Sequence, residues 1–463
     1  MIAMAGRPDS GLVLLNIARW MRRQAWLRVC YRRLPQSLRD RVSARFAAPA
    51  IARARFPRTP AWSRPVVDAA PAEPTVEPAA GFVGANLLGY LRGQFGLAES
   101  ARLYARAMIS AGLPVSLFDI DLNLRHGWDD RSVEAWMGDD LPHPISILFV
   151  NPDMFEPALE RIGEARLQGR YLIACWFWEL EEIPGDWLHA IGQVDEIMVA
   201  SKFVEDAFRR VTDKPILRVP IPLSGVADSG LQREDFGLEK DSFVFLCTFD
   251  FNSWIARKNP EAAISAFRHA FEGEDDDVRL LIKTINGFGH PDAFHQLLAA
   301  VAGDSRILLR DDIIDGAHVR ALQRCCDAYV SLHRAEGFGL GLAEMMLAGK
   351  PVIATRWSGN LEFMDDGNSC LVGYRMVPVA EGAYLAGSDL RWADADTAEA
   401  ADWMRRLARD RELADRIGGA ASASIKSSLS PQRAARAIGD HLTGIAARLP
   451  TLDFVHSPPR PSR

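Results

Sequence analysis

Apolar and polar positions along the chain form two successive series of short apolar runs, with helically spaced segments between them. In the first series the runs cover 81–89, 114–120, 145–150, 171–177 and 196–200, and a helical stretch over 97–111 follows the first. The second series covers 243–248, 278–285, 306–309, 328–332, 351–355 and 369–372, with a last helical region over 394–449. Apolar runs bounded by turn residues and alternating with helices predict parallel strands buried on both faces. Asn259-Pro260 has the order of an N-cap followed by a first-turn proline. Around 217–240 the pattern loosens into Leu-Arg-Val-Pro-Ile-Pro-Leu and a polar stretch, the composition of a hinge. The predicted fold class is therefore α/β, with two doubly wound, Rossmann-like domains at 81–222 and 223–449. Such a pair is expected to place a ligand in a cleft at the carboxyl ends of both sheets. A basic arm (1–64) and a Pro- and Ala-rich linker (65–80) precede the domains, and a loose tail (450–463) follows them.

Composition narrows the classes. The 463 residues are 48% apolar and 25% charged, the balance of a soluble globular chain with room for several domains. Cys30, Cys175, Cys247, Cys325, Cys326 and Cys370 lack metal or disulfide spacing, so buried thiols in a reducing compartment are expected. No apolar run is long enough to span a bilayer, and no secretory leader is legible. Net charge is −6, but residues 1–64 hold 14 Arg against Asp9 and Asp40, a local balance of +12. The acidic remainder argues against nucleic acid as a partner. Residues 12–34 mix Trp20, Trp26 and aliphatic residues with arginines and suit an anionic membrane surface. A transit peptide, a partner-docking helix and an upstream misassigned start fit the same segment. The expected location is cytoplasmic, peripheral on the inner face of the membrane if the arm binds there.

The strongest chemistry lies at 336–344, Glu-Gly-Phe-Gly-Leu-Gly-Leu-Ala-Glu. A strand feeding a glycine-rich turn that opens a helix is an anion site, because unpaired N–H groups and the helix dipole face the ligand. Glu336 and Glu344 repel phosphate, and their natural partners are hydroxyls. Phosphate flanked by hydroxyls describes a sugar nucleotide. Lysine is scarce, with seven in the chain, and two stand where a diphosphate needs charge. Lys258 follows the turn after the first strand of the second series. Lys283 interrupts a buried strand and needs an anion to offset its desolvation. Arg257 is a further candidate, or a surface cover.

Residues 331–355, Ser-Leu-His-Arg-Ala-Glu-Gly-Phe-Gly-Leu-Gly-Leu-Ala-Glu and onward to Thr355, resemble the signature of glycosyltransferase family 4, whose members are retaining enzymes of the GT-B fold. The resemblance implies that Glu336 sits at the donor sugar and Glu344 at the nucleotide ribose, with Gly337, Phe338 and Gly339 in the donor site. His333, three residues before Glu336, is either a catalytic cleft residue or a core histidine. In that family a basic pair grips the donor diphosphate, commonly an Arg some residues before the Lys. Here Asn252 stands six residues before Lys258, so Lys283 or Arg257 is left as substitute. Residues 249–260 resemble a subgroup acting on bacterial surface polysaccharides.

In the first series, Gly93 and Gly96 resemble the family's glycine-rich loop facing donor phosphates and acceptor, with Glu99, Ser100 and Arg102 on the following helical turns. A plain tight turn explains the same residues. Trp176-Phe-Trp-Glu179 offers aromatic faces and an acid to a sugar acceptor, while core packing explains the aromatics equally well. Ser201 is a weaker candidate at the next strand end. No metal or other cofactor is expected: Asp119 and Asp121 form an Asp-x-Asp that ends a strand, 275–277 reads as a solvated turn, and no zinc spacing appears. The missing Gly-x-Gly-x-x-Gly weakens a dehydrogenase reading. The expected function is a glycosyltransferase (a hexosyltransferase) acting on a nucleotide sugar and a glycan or lipid-linked acceptor. An idle GT-B glycan-binding or assembly protein is the alternative, and a phosphorylase or hydrolase a third reading.

Overall fold

The computed structural model describes residues 24, 38, 54–66, 83–124, 126–225, 227–273, 277–385, 390–451 and 454–456. The expected membrane-binding segment 12–34, apart from Gln24, lies outside the described residues, as does most of the linker.

Among the described residues, twelve strands build two six-stranded parallel sheets, the architecture of two Rossmann-like halves. The first contains β1 (Ala85–Gly89), β2 (Val115–Asp119), β3 (Ile145–Phe149), β4 (Tyr171–Cys175), β5 (Glu196–Val199) and β6 (Ile216–Arg218), in the order β2-β1-β3-β4-β5-β6. The second contains β7 (Phe243–Asp250), β8 (Val278–Ile285), β9 (Ile307–Asp311), β10 (Ala328–Ser331), β11 (Val352–Thr355) and β12 (Cys370–Val372), in the order β12-β11-β10-β7-β8-β9. Strand order reverses between β1 and β3 and again between β7 and β10. Those are the points where open α/β sheets bind ligands, at the carboxyl ends of their strands.

Two elements differ from the sequence expectation. β6 falls in the stretch that reads as a hinge, because it is only three residues long, half-exposed at the sheet edge and followed by Pro220 and Pro222. An antiparallel hairpin, β13 (Tyr374–Pro378) with β14 (Arg391–Ala395), also has no apolar run to announce it, since most of β13 faces solvent. The Asn259-Pro260 expectation holds only in position. Helix Pro260–Ala270 starts there, but Asn259 makes no side-chain cap. Its Nδ2 instead donates to Leu332 O at 2.9 Å, at the end of β10.

Chain contacts divide the protein into two compact units. One comprises Met1–Val67, Ala227–Leu332 and Asp396–Arg411; the other Asp68–Val226, His333–Ala395 and Glu412–Arg463. Within the first unit, residues 54–63, the end of the basic arm, are a docked strap. Asp311 N donates to Ala54 O at 2.6 Å, and Asp312 Oδ2 accepts from Phe56 N at 3.2 Å and from Arg58 Nη2 at 2.7 Å. Phe56 and Trp62 close around Phe236, with ring centroids 5.5 and 5.4 Å away. Phe56→Ala is expected to lower stability by about 3 kcal/mol, the usual cost of emptying a buried aromatic site. Urea unfolding followed by circular dichroism checks this.

In the second unit the C-terminal helix Pro431–Arg448 packs against helix α1 (Gly96–Ser110) of the first sheet. The five described cysteines are buried thiols. Among the described residues no helix is long and apolar enough to cross a membrane.

Candidate functional site

After β10 the chain passes through His333, Glu336 and Gly337 to Gly339, whose φ of +94° is left-handed and favours glycine. Helix α2 (Leu340–Leu347) begins at the next residue, so its leading N–H groups open on this turn. Glu344 is the fifth residue of that helix and half-buried, one full turn beyond the place where a dipole-favoured acid sits.

The loop rests on a platform that sequence reasoning missed, Ser358-Gly359-Asn360 after β11. Ser358 holds φ +80° and ψ −152°, a conformation that ordinarily only glycine adopts. Glu336 N donates to Ser358 Oγ at 2.8 Å, and Gly359 N donates to Glu336 O at 2.8 Å. Asn360 Nδ2 donates to Thr355 O at 3.1 Å. That bond turns Asn360 Oδ1 toward His333 Nε2, 3.1 Å away. Nε2 also lies 3.4 Å from the carbonyl of Trp357, and a proton on Nε2 suits both of these acceptors. His333 is fully buried and Glu336 is 7% exposed.

Gly337 and Gly359 are needed for close packing of backbone on backbone. A Cβ on Gly337 would lie 2.8 Å from Trp178 O, and one on Gly359 would lie 2.1 Å from Gly337 O. Protein backbone fills the space that the missing side chains leave. Ser201 completes the clasp: its Oγ donates to Gly337 O at 2.6 Å and accepts from Val204 N at the start of helix α3 (Lys202–Arg209). Phe338 is buried with its ring 5.0 Å from Phe363, so its side chain belongs to the core.

The basic candidates lie after β7 and β8. Trp254 (φ +61°) and Asn259 (φ +51°) bracket the short helix Ile255–Lys258, and Asn286 (φ +64°) follows β8. Together with Ser358, four of the five positive-φ non-glycine residues among the described residues lie beyond the strand ends of the second sheet. Such backbone costs about 1–3 kcal/mol at each site and clusters where function requires it. Lys258 is half-buried, and its charge works against the burial that pushes the Cys247 thiol up to about 12. Arg257 is 4% exposed and so does not cover the surface. Burial pulls the Lys283 ammonium down to about 8, against the charges of Asp311, Asp312 and Asp250, which favour the protonated form. The anion that Lys283 was expected to need is thus supplied in part by carboxylates of its own unit. Asn252 is exposed, with Oδ1 2.8 Å from His290 Nε2.

Around the first sheet, several candidates are spent on structure. Gly93 is buried, and a Cβ there would lie 2.5 Å from the Phe95 ring. Arg102, 3% exposed, donates to Gly93 O at 2.6 Å and Leu91 O at 3.0 Å, clamping the loop. Glu99 is held by Arg102 at 2.7 Å and by Arg106 at 2.8 Å. Gly96 is exposed with open space where a side chain would stand. Trp176 is fully buried, donates Nε1–H to Val150 O at 2.9 Å and packs on Phe155 and Phe208, so it is a core residue and not an acceptor platform. Glu179 is half-buried and accepts a short hydrogen bond from Tyr384 OH. Asp119 and Asp121 part company: the first pairs with Arg92, the second caps Asn123 N.

Residues 242–385 match the model of glycosyl transferases group 1. Among solved structures the chain is similar to sucrose-phosphate synthase from Thermosynechococcus elongatus, at 16% identity over 79% of this chain and 99% of that one, with a TM-score of 0.57. It is also similar to Anabaena Alr3699/HepE in complex with UDP and glucose (14% identity, 78% of this chain and 100% of that one, TM-score 0.55). A glycosyltransferase from Rickettsia africae ESF-5 gives 12% identity, 79% and 99% coverage and a TM-score of 0.55. At these identities the likeness is one of fold, and the fold is GT-B. No curated protein sequence matches the chain.

Proposed function

We propose that the chain is a retaining glycosyltransferase of family 4, a hexosyltransferase that moves a sugar from a nucleotide-sugar donor to a hydroxyl of a glycan or lipid-linked acceptor. Surface polysaccharide or glycoconjugate synthesis is the setting, at the cytoplasmic face of a membrane if residues 12–34 bind there. The observation that carries this reading is the group 1 match at 242–385, which contains both Glu336 and Glu344 and the turn that opens α2. The UDP and glucose named for the HepE neighbour support a sugar nucleotide as donor.

The chemistry asks little of a protein nucleophile. The barrier falls by orienting donor and acceptor and by stabilising the departing diphosphate. Glu336 orients the donor sugar, Glu344 takes the ribose hydroxyls, and Lys258 with Lys283 or Arg257 neutralises the diphosphate. His333, with its Nε2 facing Asn360 and Trp357, holds the loop that presents Glu336. No metal is assigned a role.

Thermal shift against UDP, GDP, ADP, dTDP and CDP tests the donor site. One nucleotide is expected to raise the midpoint, and Glu344→Ala to abolish the rise. No response to any of the five would favour the idle scaffold. A pH series adds a second check. Lys283 binds a diphosphate as the ammonium, so the bound state holds its proton more tightly, and affinity is expected to fall as pH rises through about 8. Lys283→Met should flatten that slope, read by isothermal titration.

A further inference from the structure

The loops at the carboxyl ends of β1, β3 and β4 hold a group of side chains that core packing does not account for. Tyr90, directly after β1, is 2% exposed, yet its hydroxyl has no hydrogen-bond partner among the described residues. The ring is packed away while the hydroxyl keeps some exposure of its own, so it stands open to a ligand. The hydroxyl lies in the field of Asp153, whose negative charge adds to burial in opposing its ionisation. Asp153 sits on the turn Pro152–Met154 after β3. The Asp153 carboxyl is itself held above the ordinary carboxylate range, first by burial and further by the charge of Glu179.

What brings the two acids together is Asn151, which spans the strand ends. Its Nδ2 donates to Phe177 O at 3.1 Å and its Oδ1 accepts from Phe177 N at 3.0 Å. On the other side of Tyr90 stand two half-buried rings, Phe95 at 5.4 Å and Trp128 at 6.0 Å between centroids. The group therefore combines an unpartnered phenol, two neighbouring carboxylates and aromatic faces, at the point where strand order reverses between β1 and β3.

We propose that Tyr90, Asp153 and Glu179, with the rings of Phe95 and Trp128, bind the acceptor, and that the acceptor group is a neutral sugar ring. The proposal rests on the glycosyl-transfer reading and narrows it. A sugar offers hydroxyls that donate to both carboxylates and accept from the phenol, and an apolar C–H face that lies on an aromatic ring. A lipid chain would leave the Tyr90 hydroxyl without a partner and would strip water from two carboxylates. A phosphate or uronate would meet two carboxylates of its own sign.

Saturation-transfer NMR on the full chain, with the methyl glycosides of glucose, galactose, mannose and rhamnose and with methyl glucuronide, tests it. At least one neutral glycoside is expected to bind, with stronger transfer to one ring face, and the glucuronide not to bind. Asp153→Asn should weaken that binding about tenfold, the scale of a lost charge-assisted hydrogen bond, and Trp128→Ala about as much through loss of the apolar stacking face. Tyr90→Phe keeps the packing and should weaken it several-fold, while the nucleotide thermal shift stays intact in all three variants. If nucleotide stabilises the protein but no neutral glycoside binds, or binding is unchanged in the variants, the acceptor assignment is overturned and the transferase reading stands. If neither nucleotide nor glycoside binds, both fall.

Discussion

Glu336→Gln is expected to lower kcat by about two to three orders of magnitude while leaving the donor KM within about threefold. The substitution keeps shape and removes charge. Glu336 is nearly buried, and its backbone is fixed on both sides, by Ser358 Oγ on its N–H and by Gly359 N on its carbonyl. The loop therefore has no reason to move, and in the proposed role what is lost is a charged hydrogen bond to a donor hydroxyl whose value grows as the sugar takes on positive character. Glu344 serves as the contrast: Glu344→Gln is expected to raise KM with a small effect on kcat. Equal loss in both parameters for both variants would refute the division of labour. Steady-state kinetics over a donor concentration series reads it directly.

Gly359→Ala is expected to cost about 3 kcal/mol of stability and most of the activity. The added Cβ would stand 2.1 Å from Gly337 O and 2.8 Å from Glu336 O, and carbonyl oxygens of a fixed loop cannot yield as a flexible side chain can. Relief requires the Glu336 turn to lift off its platform, so the variant should lose turnover even at temperatures where it stays folded. Gly419→Ala, on an exposed helical position far along the chain, is the control, because nothing lies within 4 Å of its Cβ position. Urea midpoints and kcat measured on the two variants give the comparison. A Gly359→Ala protein with unchanged kcat would mean that the platform does not position Glu336.

How far the sequence reaches depends on where the information is carried. The run 278–285 predicts β8 at its observed bounds because its apolar core is bracketed by turn residues. The Glu336 to Glu344 spacing marks a strand, turn and helix, and those elements are present. Local patterns cannot display what depends on distant partners. β6 is too short and too exposed to carry a run, and the strap at 54–63 docks through Asp312 and Phe236, far along the chain. Ser358-Gly359-Asn360 reads as an ordinary turn until the Glu336 loop is laid upon it. Trp176 and Arg102 have side-chain types that suit a ligand equally well, and only burial and partners assign them to the core and to the Gly93 clamp.

The most direct measurement is incubation of the full chain with a panel of nucleotide sugars and sugar acceptors, with product and anomeric configuration followed by proton NMR. Release of one nucleoside diphosphate together with a new glycosidic bond in the donor's own anomeric configuration is the predicted result. An inverted product would contradict retention, and no product from any pair, with nucleotide bound, would contradict catalysis itself.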